Sequence, residues 1–208
     1  MRLTPEEGRV VGCLVEKQLT TPQHYPLTDS ALIAACNQST SRDPVVSYDL
    51  TTVRTAVRSL REQGLVRTVH RPGERSDKHQ HELPAALELD EAAVAVLAVL
   101  LLRGPQTAAE LRARTDRMHA FASVDEVEDV LSRLADRALA ERLPRLPGRR
   151  EDRWVEVLVE GGPGPAAERE PAPVEPAAPP ADLAAEVAAL REEVAALRAE
   201  VAALRERG

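Results

Sequence analysis

The sequence predicts an α+β fold, mainly helical with small β-hairpins. It comprises two tandem winged-helix domains, a disordered Pro/Ala linker and a C-terminal coiled-coil helix. Three observations predict it: a helix that runs straight into a hairpin between Asp49 and Leu83, a return of the same apolar pattern from Leu89, and a strict heptad at the C-terminal end. The expected boundaries are 1–83 and 84–160 for the two winged helices, 161–182 for a Pro/Ala/Glu linker and 183–208 for the coiled coil.

The first domain opens with Thr4-Pro5-Glu6-Glu7, which offers a cap, a proline at the first helical position and a glutamate three residues after the cap. The helix runs to about Gln18 with Val10, Val11, Leu14 and Val15 inward, and Thr20-Thr21-Pro22 breaks it. Gln23 to Leu27 is a connector. Thr28 caps a short second helix with Leu32, Ile33 and Cys36 on its apolar side. Asn37 to Tyr48 is polar and holds Asp43-Pro44, so it reads as an ordered loop. It could extend a DNA-contacting edge, bind a ligand or serve structure alone.

Val53, Val57 and Leu60 recur at helical spacing, with Asp49 and Thr51 as candidate caps and Gly64 as the residue that ends the helix. Leu65 to His70 is β-prone, Arg71 to Asp77 is turn-rich, and Lys78 to Leu83 returns as a second strand. Helix, helix, helix, hairpin is the order of a winged helix, a helix-turn-helix variant.

In the second copy Val96, Leu97, Leu100 and Leu101 repeat the first helix, and Thr107-Ala108 falls on Thr21-Pro22. Val127, Leu131, Leu134 and Leu139 repeat Val53, Val57, Leu60 and Leu65 at an offset of 74. Ser123-Val124-Asp125-Glu126 is a capping box in sequence, and Pro147 to Asp152 is the second hairpin tip. Gly161 to Asp182 carries seven prolines among Ala, Glu and Gly and cannot build a core. Leu183, Val187, Leu190, Val194, Leu197, Val201 and Leu204 then alternate spacings of 4 and 3, with Glu186, Glu193 and Glu200 on one flank and Arg191, Arg198 and Arg205 on the other. Valine at a and leucine at d favours a parallel pair, so a homodimer is expected.

Several of these segments resemble the YceH-like proteins of bacteria, a family of unknown function with tandem winged helices. The carrying residues are Glu16-Lys17-Gln18, Thr20-Thr21-Pro22, Tyr25-Pro26-Leu27, Ala35-Cys36-Asn37-Gln38 and Arg42-Asp43-Pro44-Val45. Leu100 to Thr107, Glu110-Leu111-Arg112 and Pro147 to Glu151 carry it in the second copy. The resemblance spans about residues 3–158 and implies the fold, but no activity, substrate or partner.

Charge gives the functional expectation. The chain is acidic overall at −7, with 43% apolar and only 2% aromatic residues, yet residues 42–81 hold 8 basic and 5 acidic side chains. A local basic patch of this kind is an electrostatic footprint for double-stranded DNA. The expected contacts are Thr51, Thr52, Arg54, Thr55 and Arg58 on the third helix and Arg67, Arg71, Arg75 and Lys78 on the wing. The second copy's third helix carries Asp125, Glu126, Glu128, Asp129 and Asp136, which phosphate repels, so its basic edge is the wing, with Arg142, Arg145, Arg149, Arg150 and Arg153.

These features predict a DNA-binding transcription regulator that dimerises through its coiled coil. The competing reading is a scaffold subunit whose winged helices bind protein partners. No nucleophile elbow, phosphate loop or HExxH motif is present, so no enzyme, cofactor or metal is expected. His79-x-His81 shares one strand face, with His70 across the hairpin, and reads as exposed wing histidines. Cys13 and Cys36 read as buried thiols. No apolar run reaches the roughly 18 residues of a membrane span, and Met1-Arg2-Leu3 leads straight into a capped helix, so the chain reads as cytoplasmic.

Overall fold

The computed structural model describes residues 2–70, 76–145 and 151–161. The linker after Gly161, the heptad segment and the hairpin segments 71–75 and 146–150 lie outside the described residues, as do the expectations placed on them. What is described is a mixed helical and antiparallel-sheet architecture in which one element order occurs twice.

The first half runs α1 (Pro5–Thr20), a 3₁₀ turn (Pro22–His24), β1 (Leu27–Thr28), α2 (Asp29–Cys36), α3 (Leu50–Glu62), β2 (Val66–Val69) and β3 (Lys78–His81). After the short α4 (Leu83–Ala86) come α5 (Glu91–Arg103), α6 (Ala108–Thr115), α7 (Val124–Asp136), β4 (Ala140–Leu143) and β5 (Arg153–Glu156). The starts are set by side-chain caps. Thr4 and Glu7 form the reciprocal capping box of α1, and Thr28 and Asp49 cap α2 and α3. Gly64, at φ 74°, follows the end of α3 in a left-handed conformation that a Cβ would strain.

Two capping expectations need correction. Ser123 accepts from the Glu126 amide, but the Glu126 carboxylate reaches past Ser123 to the Ala122 amide at 2.8 Å, so the box is not reciprocal. Thr107 is the cap of α6, with Glu110 closing the box, so its partner in role is Thr28 and not Thr21. The first half has the extra Pro22–His24 turn between its first two helices.

The hairpins match as well. β3 lies between β1 and β2, and β5 pairs with β4 while Gln106 bridges to Trp154 in the place of β1. The register Thr68↔His79 in the first half corresponds to Arg142↔Trp154 in the second.

The two halves share one core. Every residue of α5 from Ala93 to Leu102 is buried, so this helix has no solvent face; α1 covers one side and the second half's own helices cover the other. Close approach of α1 and α5 depends on Gly12, while Gly8 makes room for the Val159 side chain, 2.6 Å from where a Cβ would stand. A Cβ at Gly12 would stand 3.1 Å from Leu102 Cγ and 3.2 Å from Leu101 Cβ. The Leu3 amide donates to Leu158 O at 2.7 Å and the Glu160 amide to Leu3 O at 2.7 Å, tying the start of the first half to the end of the second.

The Asn37–Tyr48 loop has a structural role. Arg42 is fully buried in its side chain and donates through both terminal nitrogens to Glu16 at 3.0 and 2.7 Å, and through Nε to Ala35 O. Asn37 brackets the Tyr48 backbone, Arg9 donates to Pro44 O, and the Asp43 amide donates to Leu102 O on α5. The loop therefore clamps α1, α2 and α5 together. Arg42 has no exposed donor with which to extend a DNA-contacting edge. Cys13 and Cys36 are buried free thiols beneath it.

Candidate nucleic-acid interface

A groove opens between α3 and the β2–β3 hairpin, with the start of α2 as its end wall. One helical face supplies its first side: Leu50, Arg54, Val57, Arg58 and Arg61, at spacings of three and four. The opposite side is the inner face of the hairpin, where alternation brings Thr68, His70, Asp77 and His79 together. Thr28, Asp29 and Ser30 close it.

A hydrogen-bonded chain crosses this groove. Arg54 Nε donates to Asp29 Oδ2 at 2.8 Å, Asp29 Oδ1 pairs with His79 Nε2 at 2.8 Å, and His79 Nδ1 meets the Thr68 hydroxyl at 3.1 Å. The carboxylate requires a donor at Nε2, and the Thr68 hydroxyl, which can donate or accept, meets Nδ1. Burial pushes the Asp29 carboxyl up, but the hydrogen bonds from His79 and Arg54 outweigh it and hold the group below the usual carboxylate range. The Arg54 side chain stays 61% exposed.

The expected contact residues divide. Arg54 and Arg58 line the groove, and Arg61, which is not among the expected contacts, lines it with them. Thr51 and Thr55 are exposed on α3 but do not line it, and the Thr52 amide is taken by the Asp49 cap. Arg67 and Lys78 project from the other hairpin face, opposite in phase to Thr68 and His79, and Arg67 is paired with Glu82 at 2.9 Å. Arg71 and Arg75 lie outside the described residues. Arg58 and Arg61 are exposed.

The histidines correct the sequence reading. His79 and His81 do share one face, but they are 6% and 7% exposed, because that face turns toward the helices. His81 has no partner on either ring nitrogen among the described residues, and burial pulls its pKa down to about 4. Of the three hairpin histidines only His70 is exposed, where it pairs with Asp77 at 2.9 Å. Among the described residues, no group of three or more His, Cys, Asp or Glu is placed to hold a metal ion.

In the second half the position of Arg54 carries the opposite charge, and those of Arg58 and Arg61 carry none, being Ser132 and Ala135. Glu128 stands where Arg54 stands, and it pairs with Arg142 at 3.2 Å from the hairpin. Arg142 lies over the Trp154 ring at 4.8 Å, and Asp152 takes both Arg142 and Arg145. Arg153 donates to Pro105 O. The described arginines expected to form a basic wing edge are thus engaged by protein acceptors. Arg149 and Arg150 lie outside the described residues.

Among the described residues no helix is long and apolar enough to cross a membrane. Residues 3–149 match the family described as Protein of unknown function, DUF480. A UPF0502 protein of Koribacter versatilis is 48% identical over 171 residues, covering 80% of this chain and 79% of its own. One from Opitutus terrae is 49% identical over 177 residues, covering 84% and 76%. A third, from Shewanella putrefaciens, is 46% identical over 166 residues, covering 77% and 75%. The family match takes in the Glu16–Arg42 clamp and runs from Leu3 through β4 of the second half, and on it the chain belongs to the DUF480 family of proteins of unknown function.

Proposed function

We propose that this protein binds double-stranded DNA as a transcription regulator, each half being a winged helix and the first half making the contact. The observation that carries the reading is the groove between α3 and the β2–β3 hairpin, where three arginines, Arg54, Arg58 and Arg61, line one helix face. Arginine pairs with phosphate oxygens and with guanine edges, and a helix beside a hairpin is the geometry with which winged helices straddle a groove and its flanking backbone. The heptad of residues 183–208 would pair two copies, and the Pro-rich segment before it would let each copy find its half-site independently.

Fluorescence anisotropy with a random-sequence duplex at several salt concentrations tests this reading, with Arg54→Ala/Arg58→Ala as the comparison. Binding that weakens steeply with salt and is lost in the variant is the expected result. Absence of binding at low salt rejects it.

A second reading has its own observation. The outer face of α7 carries exposed Asp125, Asp129 and Asp136, and the neighbouring Arg142 and Arg145 are already paired to acids. The second half therefore suits a protein partner better than phosphate, and the whole chain could act as a scaffold subunit. Catalysis forms no part of either reading.

A further inference from the structure

We infer that Arg54 is a pre-oriented base-reading residue, with Asp29, His79 and Thr68 as the positioning residues that hold its guanidinium for the paired acceptors of a guanine edge. The inference rests on the DNA-binding reading and names how its site would discriminate sequence.

Arginine has five N–H donors in a rigid planar fork. Asp29 engages Arg54 through Nε alone, at 2.8 Å, and no described residue accepts from its two terminal nitrogens. The outward edge of the fork, which matches O6 and N7 of guanine, is therefore open, on a side chain that is 61% exposed. Asp29 is itself fixed from behind. Its second oxygen pairs with Nε2 of His79, a side chain only 7% exposed, and the Thr68 hydroxyl fixes the far nitrogen of that ring. A chain anchored in the hairpin thus sets the rotation of an arginine on α3. A phosphate contact has little use for such an arrangement, because a carboxylate 2.8 Å from the guanidinium weakens attraction to any anion. A neutral base edge loses far less and gains from a fork already in place.

The second half lacks every part of this device. Glu128 replaces Arg54, Arg142 replaces Thr68 and Trp154 replaces His79 in the matching register. The chain across the groove is specific to the half that carries the open arginine.

The test uses the full chain. A preferred duplex is selected from a random pool, and anisotropy is measured on it and on versions with each guanine replaced in turn. Wild type, Arg54→Ala, Arg54→Lys and Asp29→Asn are compared, with thermal melting of each as a check on folding. One guanine position is expected to matter by roughly 5- to 150-fold in wild type. All three variants should flatten that position while leaving the others intact. Asp29→Asn should bind random duplex more tightly than wild type, since a negative charge has gone from the groove. Lysine should fail to rescue, because it keeps the charge and loses the fork. If Arg54→Ala weakens all duplexes equally, Arg54 is a phosphate contact and the inference is overturned. It is overturned equally if folded Asp29→Asn keeps full discrimination. If wild type binds no duplex at low salt, the DNA-binding reading itself fails, a result separate from both.

Discussion

Arg42 and Glu16 form a two-pronged ion pair, at 3.0 and 2.7 Å, in which the arginine side chain is wholly removed from solvent. A buried guanidinium is costly unless its donors are met. Here Ala35 O, Ser41 O and Gln38 Oε1 take the N–H groups that Glu16 leaves. Burial acts to raise the Glu16 carboxyl, and the hydrogen bond and charge of Arg42 reverse that and hold it low.

Removing one partner of this pair should therefore cost more than removing both. Glu16→Ala strands a buried positive charge and is expected to destabilise by about 3 kcal/mol or more in urea unfolding. Adding Arg42→Met should restore part of the loss, giving a coupling of about 1 kcal/mol or more. Additive effects would mean that the pair contributes only packing.

Gly12 marks the contact that joins the halves. Valine there would force its Cβ to about the 3.1 Å that separates an ideal Cβ from Leu102, with two further methyls to place. A loss of roughly 1–3 kcal/mol is expected, despite the better helix propensity of valine. Leu102→Ala makes room on α5, so the double variant should be more stable than the sum of the single effects by about 1 kcal/mol. If Gly12→Val alone melts like wild type, α1 and α5 are free to move apart.

Much of the fold was legible because its signals are local. Thr4-Pro5-Glu6-Glu7 caps α1 in the structure as in the sequence, and Val53, Val57 and Leu60 face inward on α3. The shared core had a visible sign that alternation and heptads did not cover: α5 is apolar on all sides from Ala92 to Leu102, which requires cover on all sides. Arg42 was not legible, because a polar loop reads as surface and its acid lies 26 residues earlier on another helix. The phase of Arg67 and Lys78 against His79 could have been counted, and it removes both from the groove face. Asp29 could not, since its value comes from meeting Arg54 and His79 in space.

His81 should make stability depend on pH in the acid range. Burial lowers its pKa to about 4 against the ordinary 6.5, and no described residue accepts from or donates to its ring nitrogens. The unfolded chain therefore binds a proton below 6.5 that the folded chain refuses until about 4. Stability falls as pH drops through this window, by up to about 3 kcal/mol. Unfolding free energies measured at pH 7 and pH 4 for wild type and His81→Leu check it. The variant should lose less on acidification by about that amount; an equal loss would place the acid sensitivity elsewhere, as at Glu16.

The salt dependence of DNA binding should separate the two hairpin grooves. Arg58 and Arg61 are exposed on the first groove, while Arg142 and Arg145 are already bound to Glu128 and Asp152. Each phosphate contact contributes about 0.9 to the slope of log affinity against log salt. Arg58→Ala/Arg61→Ala should then reduce the slope by about 1.8, and Arg142→Ala/Arg145→Ala should leave it nearly unchanged. The second pair of substitutions removes as much positive charge as the first, so net charge cannot explain a difference between them. Only the location of the charge can. Equal slopes in the two double variants would mean that binding follows overall charge, and the groove beside α3 would lose its claim to be the contact surface.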